Sequence, residues 1–162
     1  MLTGLYTQSE GCADVFGVDM FNEMGTVRQV MGVCPQHDVL FELMTVEEHL
    51  SFFYELKGGD PKLKKAEINK LIKDVGIEDK RHEKASALSG GNKRKLSVAI
   101  ALCGNSKFVL LDEPTSGLDL SARRMLWNML KEYKKSRIIL LTTHYMDEAD
   151  ILGDRIAIMS GG

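Results

Sequence analysis

Cysteine is scarce, with three residues (Cys12, Cys34 and Cys103) in a chain of 162. An odd number spaced so widely excludes a disulfide framework and offers no zinc-ligand spacing, so the thiols read as reduced, in a cytosolic compartment. Net charge is also nearly absent. Lys plus Arg is 21 against Asp plus Glu 23, a balance that argues against nucleic acid as a partner. Long apolar runs are missing: the aliphatic run 138–141 falls far short of the about 20 residues needed to cross a bilayer. The opening residues lack the basic, apolar and small-residue order of a secretory leader. No internal repeat, low-complexity segment or clear linker interrupts the chain. What is present is 44% hydrophobic and 27% charged residues, an ordinary globular composition on the scale of one domain or a piece of one. That composition excludes a disordered chain.

Charge is unevenly placed. Residues 57–95 hold 12 basic and 6 acidic residues, and the remainder 9 basic and 17 acidic. Most of these lysines read as solvated helix faces, whereas Lys93, Arg94 and Lys95 follow a glycine pair at a helix start. Short apolar runs alternate with helix-period segments, the pattern of an α/β domain with a mainly parallel sheet. Strands are predicted over 30–34, 108–111, 137–141 and 155–159, with 108–111 and 137–141 as buried runs. Thr45-Val46-Glu47-Glu48 has capping-box spacing, with Leu50, Phe53 and Leu56 continuing an apolar face behind it. A second helix is predicted from near Pro61 to Val75, with Leu63, Ile68, Leu71, Ile72 and Val75 inward and Gly76 as its stop. Ser89-Gly90-Gly91 opens a third, with Leu96, Ala99, Ile100 and Cys103 on one face. Ser121 is the expected cap of a helix reaching Tyr133, with Met125, Leu126, Met129 and Leu130 inward. A short acidic helix is expected over 145–152.

Chemistry concentrates in the second half. An apolar strand ending in Asp112-Glu113 delivers two adjacent carboxylates to the crevice where open parallel sheets bind ligands. Successive side chains point different ways, so one can orient Mg²⁺ through its water shell and the other an attacking water. The same text also reads as an acidic turn before Pro114. Leu88-Ser89-Gly90-Gly91 lets backbone N–H groups at a helix start approach an anion, yet Ser-Gly-Gly is also a common loop. Thr142-Thr143-His144 follows another strand, so His144 should emerge on the edge that carries Glu113, and Gln36, after Cys34-Pro35, should emerge there too.

Order and spacing resolve these signals. Cys34-Pro35-Gln36, Leu88-Ser89-Gly90-Gly91, Leu110-Leu111-Asp112-Glu113-Pro114-Thr115-Ser116-Gly117-Leu118-Asp119 and then His144 resemble the nucleotide-binding domain of ATP-binding-cassette proteins. They stand in that family's order as Q-loop, signature, Walker B strand with D-loop, and H-switch. The text around Val33 to Phe41, Lys93 to Ile100 and His144 to Ala157 is similar to subfamily A of the transporters, large multi-pass proteins associated with lipid export. The resemblance implies a P-loop NTPase-like α/β fold with a helical signature subdomain over about 45–100 and a Walker B, D-loop and H-loop core over about 105–160. It implies ATP and Mg²⁺ as ligands. Gln36 would contact Mg²⁺ and the attacking water, with the loop after it facing a membrane-domain coupling helix. Asp112 would hold Mg²⁺ through water, Glu113 would be the general base, and His144 would hydrogen-bond the γ-phosphate. Ser89, Gly90 and Gly91 would grip ATP held by a second nucleotide-binding domain in a head-to-tail sandwich, and Asp119 would line that seam. Transmembrane domains would be the other partners, with the cassette on the cytosolic face of a membrane.

Three departures from the family pattern stand out. Asn92 replaces the usual Gln or Met, and Leu120 stands where Pro is common. The phosphate-cradling G-x-x-x-x-G-K-[ST] loop is absent, and no Gly-Lys dipeptide occurs anywhere. Met1 to Tyr6 resembles the helix that follows that loop and Gly11 to Phe16 the next strand, so the chain is expected to begin inside the domain and to be inactive by itself. Two alternatives keep the same motifs: a non-catalytic signature-face module, and a soluble cassette ATPase of the translation-factor or chromosome-maintenance kind. Against the second stand the subfamily-A text and the lack of coiled-coil or basic linker segments.

Overall fold

The structure, a computed structural model, describes residues 1–161. Strands β1 (Asp14–Val15) and β2 (Val18–Asp19) pair antiparallel. Their two-residue turn has positive φ at both Phe16 and Gly17, the geometry that matches strand twist. Helix α1 (Met24–Val30) runs directly into β3 (Met31–Cys34). A helical stretch follows, with α2 (Val46–Leu56), α3 (Lys64–Asp74) and α4 (Gly90–Leu102). The chain then returns to the sheet through β4 (Phe108–Asp112), α5 (Leu120–Tyr133), β5 (Ile138–Thr142) and α6 (Met146–Leu152).

Strands β3, β4 and β5 form one parallel sheet in that order, with Cys34 beside Leu111 and Asp112 beside Thr142. Central β4 divides its side chains by the strand's two-residue period. Val109 and Leu111 join Cys34 and helices α2 to α5 in the larger apolar cluster. Phe108 and Leu110 join Met31, Val27, Met20 and Val15 in a smaller one on the opposite face. A strand covered on both faces can be apolar throughout, as predicted for 108–111.

Helix α4 lies against β3 at backbone distance. A Cβ on Gly32 would sit 1.8 Å from the Ala101 carbonyl oxygen, so a side chain is excluded. Because the obstacle is main chain and cannot rotate away, Gly32→Ala is expected to cost at least about 3 kcal/mol, the upper end of ordinary overpacking. A thermal melt checks this, and an unchanged midpoint would contradict the packing. The far end of α4 is held by Lys57, whose Nζ donates to the carbonyls of Ile100 (2.9 Å), Ala101 (3.3 Å) and Cys103 (3.3 Å) and to Ser106 Oγ (2.8 Å). These bonds satisfy carbonyls that a helix end leaves unpaired, and burial pushes the ammonium pKa down.

The capping box at α2 forms as predicted: Thr45 Oγ1 accepts from Glu48 N and Glu48 Oε2 accepts from Thr45 N. Gly76 ends the helical segment with φ +62°. Other expectations need correction. No strand forms over residues 155–159, where Ile156, Ile158 and Met159 are exposed; a strand needs a hydrogen-bonded neighbour, and no described strand pairs with this segment. Strand β5 is not buried on both faces. Ile138 and Leu140 are 50% and 44% exposed, because among the described residues only the Ile139 and Leu141 face meets the core and only β4 pairs with the strand. The helix expected from Pro61 begins at Lys64, with Leu63 exposed before it, and Leu56 and Met125 are also exposed. Residues 1–6 form turns rather than a helix, and the strand expected from Gly11 to Phe16 is confined to β1.

Candidate functional site

Parallel pairing in register brings the C-terminal ends of β3, β4 and β5 to one edge of the sheet, so Gln36, Asp112, Glu113 and His144 all follow from that edge. Asp112 is exposed at the end of β4, and its Oδ1 accepts from the hydroxyl of Thr142 on the neighbouring strand. Glu113, the next residue, has φ +48°, a left-handed conformation that costs a non-glycine residue energy and persists only where surroundings enforce it. Its N–H donates to the Thr142 carbonyl at 3.0 Å. Its Oε1 lies 3.0 Å from His144 Nδ1. An ionised carboxylate can only accept, so this bond places a proton on Nδ1 and leaves Nε2 as the ring's outward nitrogen.

The loop bearing His144 is fixed from behind by α6. The Trp127 indole donates to Glu148 Oε1 at 2.9 Å, and Lys134 donates to the Leu152 carbonyl at 3.0 Å. Beside His144, the Tyr145 ring lies under the Arg123 guanidinium, 3.9 Å from the ring centroid. The sequence prediction that Glu113 and His144 share an edge is therefore met by direct contact.

Asp119 caps α5 in place of Ser121, which corrects the expected cap. Its carboxylate accepts from Ser121 N (2.9 Å) and Ala122 N (3.0 Å). These bonds, that from Ala122 first, pull its pKa down. Ser89 caps α4 by accepting from Asn92 N at 3.4 Å. Ser89 and Gly90 are exposed and Gly91 is half-buried. A Cβ on Gly90 would meet nothing within 4 Å, and one on Gly91 only Leu118 at 3.4 Å. Packing within the chain does not demand either glycine, so the first turn of α4 stands open to an approaching group.

Arg94 is the residue that sequence reasoning placed wrongly. The resemblance implies that the helix start from Ser89 to Lys95 is exposed toward a partner's nucleotide, yet Arg94 is 3% exposed and turned beneath the site. It donates to the carbonyls of Pro35 (2.6 Å), Gln36 (3.2 Å), Pro114 (3.3 Å) and Asp112, and to Asp38 Oδ1 (3.2 Å). Its spacing from the buried residues Val98 and Ala101 marks the face toward the sheet. The backbone strain at Glu113 has no sequence signal.

Among the described residues, no cluster of three or more His, Cys, Asp or Glu could hold a metal by protein ligands alone. Asp112 offers one exposed carboxylate. That fits Mg²⁺, which keeps several waters and is bound through one or two carboxylates plus phosphate oxygens.

Comparison with known proteins agrees with this geometry. The family model described as ABC transporter matches residues 1–116. Human "ATP-binding cassette sub-family A member 2" is 51% identical over all 162 residues. Rat "Phospholipid-transporting ATPase ABCA3" and mouse "Retinal-specific phospholipid-transporting ATPase ABCA4" are each 49% identical over the same span. The chain spans only 7% to 10% of the length of these relatives. Among solved structures, an ATP-binding subunit of an ABC transporter superposes with a TM-score of 0.83 at 26% identity, over 93% of this chain and 63% of that one. The dimeric cassette MJ0796 bound to ADP and Pi superposes at 0.81 and 21% identity, over 92% of this chain and 69% of that one, a likeness of fold. The chain belongs to the ABC transporter family, as an ATP-binding cassette of the sub-family A type.

Proposed function

We propose that this chain supplies the hydrolytic and signature faces of an ATPase that drives a membrane transporter, with lipid as its cargo. The observation that carries the reading is the 3.0 Å contact of Glu113 with His144 beside exposed Asp112, at the C-terminal edge of a parallel sheet. Glu113 acts as general base toward water. His144 directs its outward Nε2 to the γ-phosphate; a donor there requires a protonated ring or release of Nδ1 from Glu113, and that release also frees the carboxylate for water. Asp112 would hold Mg²⁺ through water, and Gln36 would contact Mg²⁺ and the attacking water; the ion would supply neutralisation of charge on the phosphate oxygens. The names of two relatives, both phospholipid-transporting ATPases, support lipid as the cargo.

Ser89, Gly90 and Gly91 serve in trans on ATP held by a second cassette, with Asp119 along the seam. The open first turn of α4 and the dimeric state of MJ0796 support this arrangement. Membership of the ABC transporter family supports transmembrane domains as partners, with the cassette at the cytosolic face; among the described residues no helix is long and apolar enough to cross a membrane. In the full-length transporter, Ser89→Arg is expected to fill the space for the γ-phosphate and reduce ATPase activity to background while Mg-ATP still binds. Unchanged ATPase activity would show that the signature face is not used.

A further inference from the structure

A buried guanidinium is costly unless its N–H groups find acceptors, and the acceptors around Arg94 have a pattern. Two are the carbonyls of Asp112 and Pro114, the residues on either side of Glu113. The side chain therefore grips the backbone on both sides of the one site residue with φ +48°. Two more are the carbonyls of Pro35 and Gln36, and Asp38 adds the countercharge from the same loop. The guanidinium itself rises from α4, five residues after the Ser89 cap, or about 7.5 Å along the helix axis. One side chain thus joins the exit of β3, the exit of β4 and the helix that carries the signature face.

We propose that Arg94 is a positioning residue for hydrolysis, holding Glu113 in its left-handed backbone conformation and tying the Gln36 loop and the start of α4 to it. This rests on the reading of Glu113 as the base. A strained backbone persists where its surroundings over-determine it, and two bonds to the flanking carbonyls supply such a restraint. The planar fork of arginine spreads five N–H donors across acceptors on two loops, a wider and more rigid reach than the three donors of one ammonium nitrogen. Motion of the Ser89 end of α4 then reaches Gln36 and Glu113 through one rigid group.

The test compares Arg94→Met, Arg94→Lys and Asp38→Ala with Glu113→Gln in the full-length transporter reconstituted in lipid. The quantities read are kcat per folded molecule and KM for Mg-ATP. Both Arg94 variants are expected to lose about tenfold to a hundredfold in kcat, the scale of a misplaced catalytic group, with KM held within about twofold. Asp38→Ala removes the countercharge that holds the guanidinium against those carbonyls and is expected to lower kcat several-fold, again at constant KM; Asp38→Asn, which keeps an acceptor for Arg94, makes the same test where an alanine or Arg94 variant does not fold. Wild-type kcat in folded Arg94→Met, full recovery by Lys, or unchanged kcat in Asp38→Ala would overturn the inference. Turnover persisting in Glu113→Gln would instead overturn the assignment of the base, whatever the Arg94 variants do.

Discussion

Glu113→Gln in the full-length transporter is expected to lower ATP turnover by about 10²- to 10⁴-fold, the range that a positioned general base contributes. Glutamine has the same shape and tolerates φ +48° no worse than glutamate. Its Oε1 can still accept from His144 Nδ1, the 3.0 Å bond seen here, so the loop after β5 should keep its place. What disappears is the basic oxygen pair that takes a proton from water. Mg-ATP binding should be retained, because the contacts proposed for His144 and a second cassette's signature face with phosphate, and for Asp112 with Mg²⁺, do not use that base. Steady-state ATPase assays paired with equilibrium nucleotide binding check both halves. Turnover within tenfold of the wild type would remove Glu113 from the role of base.

The second large effect concerns these 162 residues alone, which are expected to bind Mg-ATP weakly and to show negligible ATPase activity. The sequence holds no Gly-Lys dipeptide and so no phosphate-cradling loop. Each charge-assisted hydrogen bond to phosphate contributes about 1.5–3 kcal/mol, so lacking two costs roughly 3–6 kcal/mol. At about 1.4 kcal/mol per factor of ten, affinity falls by about a hundredfold to ten-thousandfold relative to a cassette that has the loop. Glu113 is then a base with no positioned substrate. Calorimetry reads this directly, and joining a strand and phosphate loop ahead of Met1 should restore binding. Tight Mg-ATP binding by the chain as it stands would show that another group holds the phosphates.

Much of the site was legible in the sequence, because strand ends followed by polar residues carry their own address. An apolar run ending in Asp112-Glu113 and another ending in Thr142-Thr143-His144 had to converge once the strands paired in parallel register. The central strand was legible for the same reason, being apolar at every position that both layers cover. What could not be read depended on neighbours. Strand β5 has the same aliphatic text as β4, but burial is a property of what packs on a residue, and one of its faces has no cover. Residues 155–159 have strand composition without a strand beside them. Ser121 and Asp119 are both good caps, and the structure uses Asp119, whose carboxylate accepts from the N–H groups of Ser121 and Ala122. Arg94 lay hidden because the helix start that carries the signature is expected to face a partner, and its acceptors are mostly backbone carbonyls, which no sequence pattern displays.

Among the described residues strand β5 hydrogen-bonds along one side only, to β4, and one of its faces carries the exposed Ile138 and Leu140. An edge of this kind is a template for any extended segment that reaches it. Folding of the chain therefore divides between two outcomes of different kinetic order. Collapse of the helical layer onto β3 and β4 is first order in protein. Capture of the β5 edge by a strand from another molecule is second order, so it gains on folding as concentration rises. This lateral edge, distinct from the C-terminal edge that carries the hydrolytic residues, thus sets the dilution at which the chain stays unassociated.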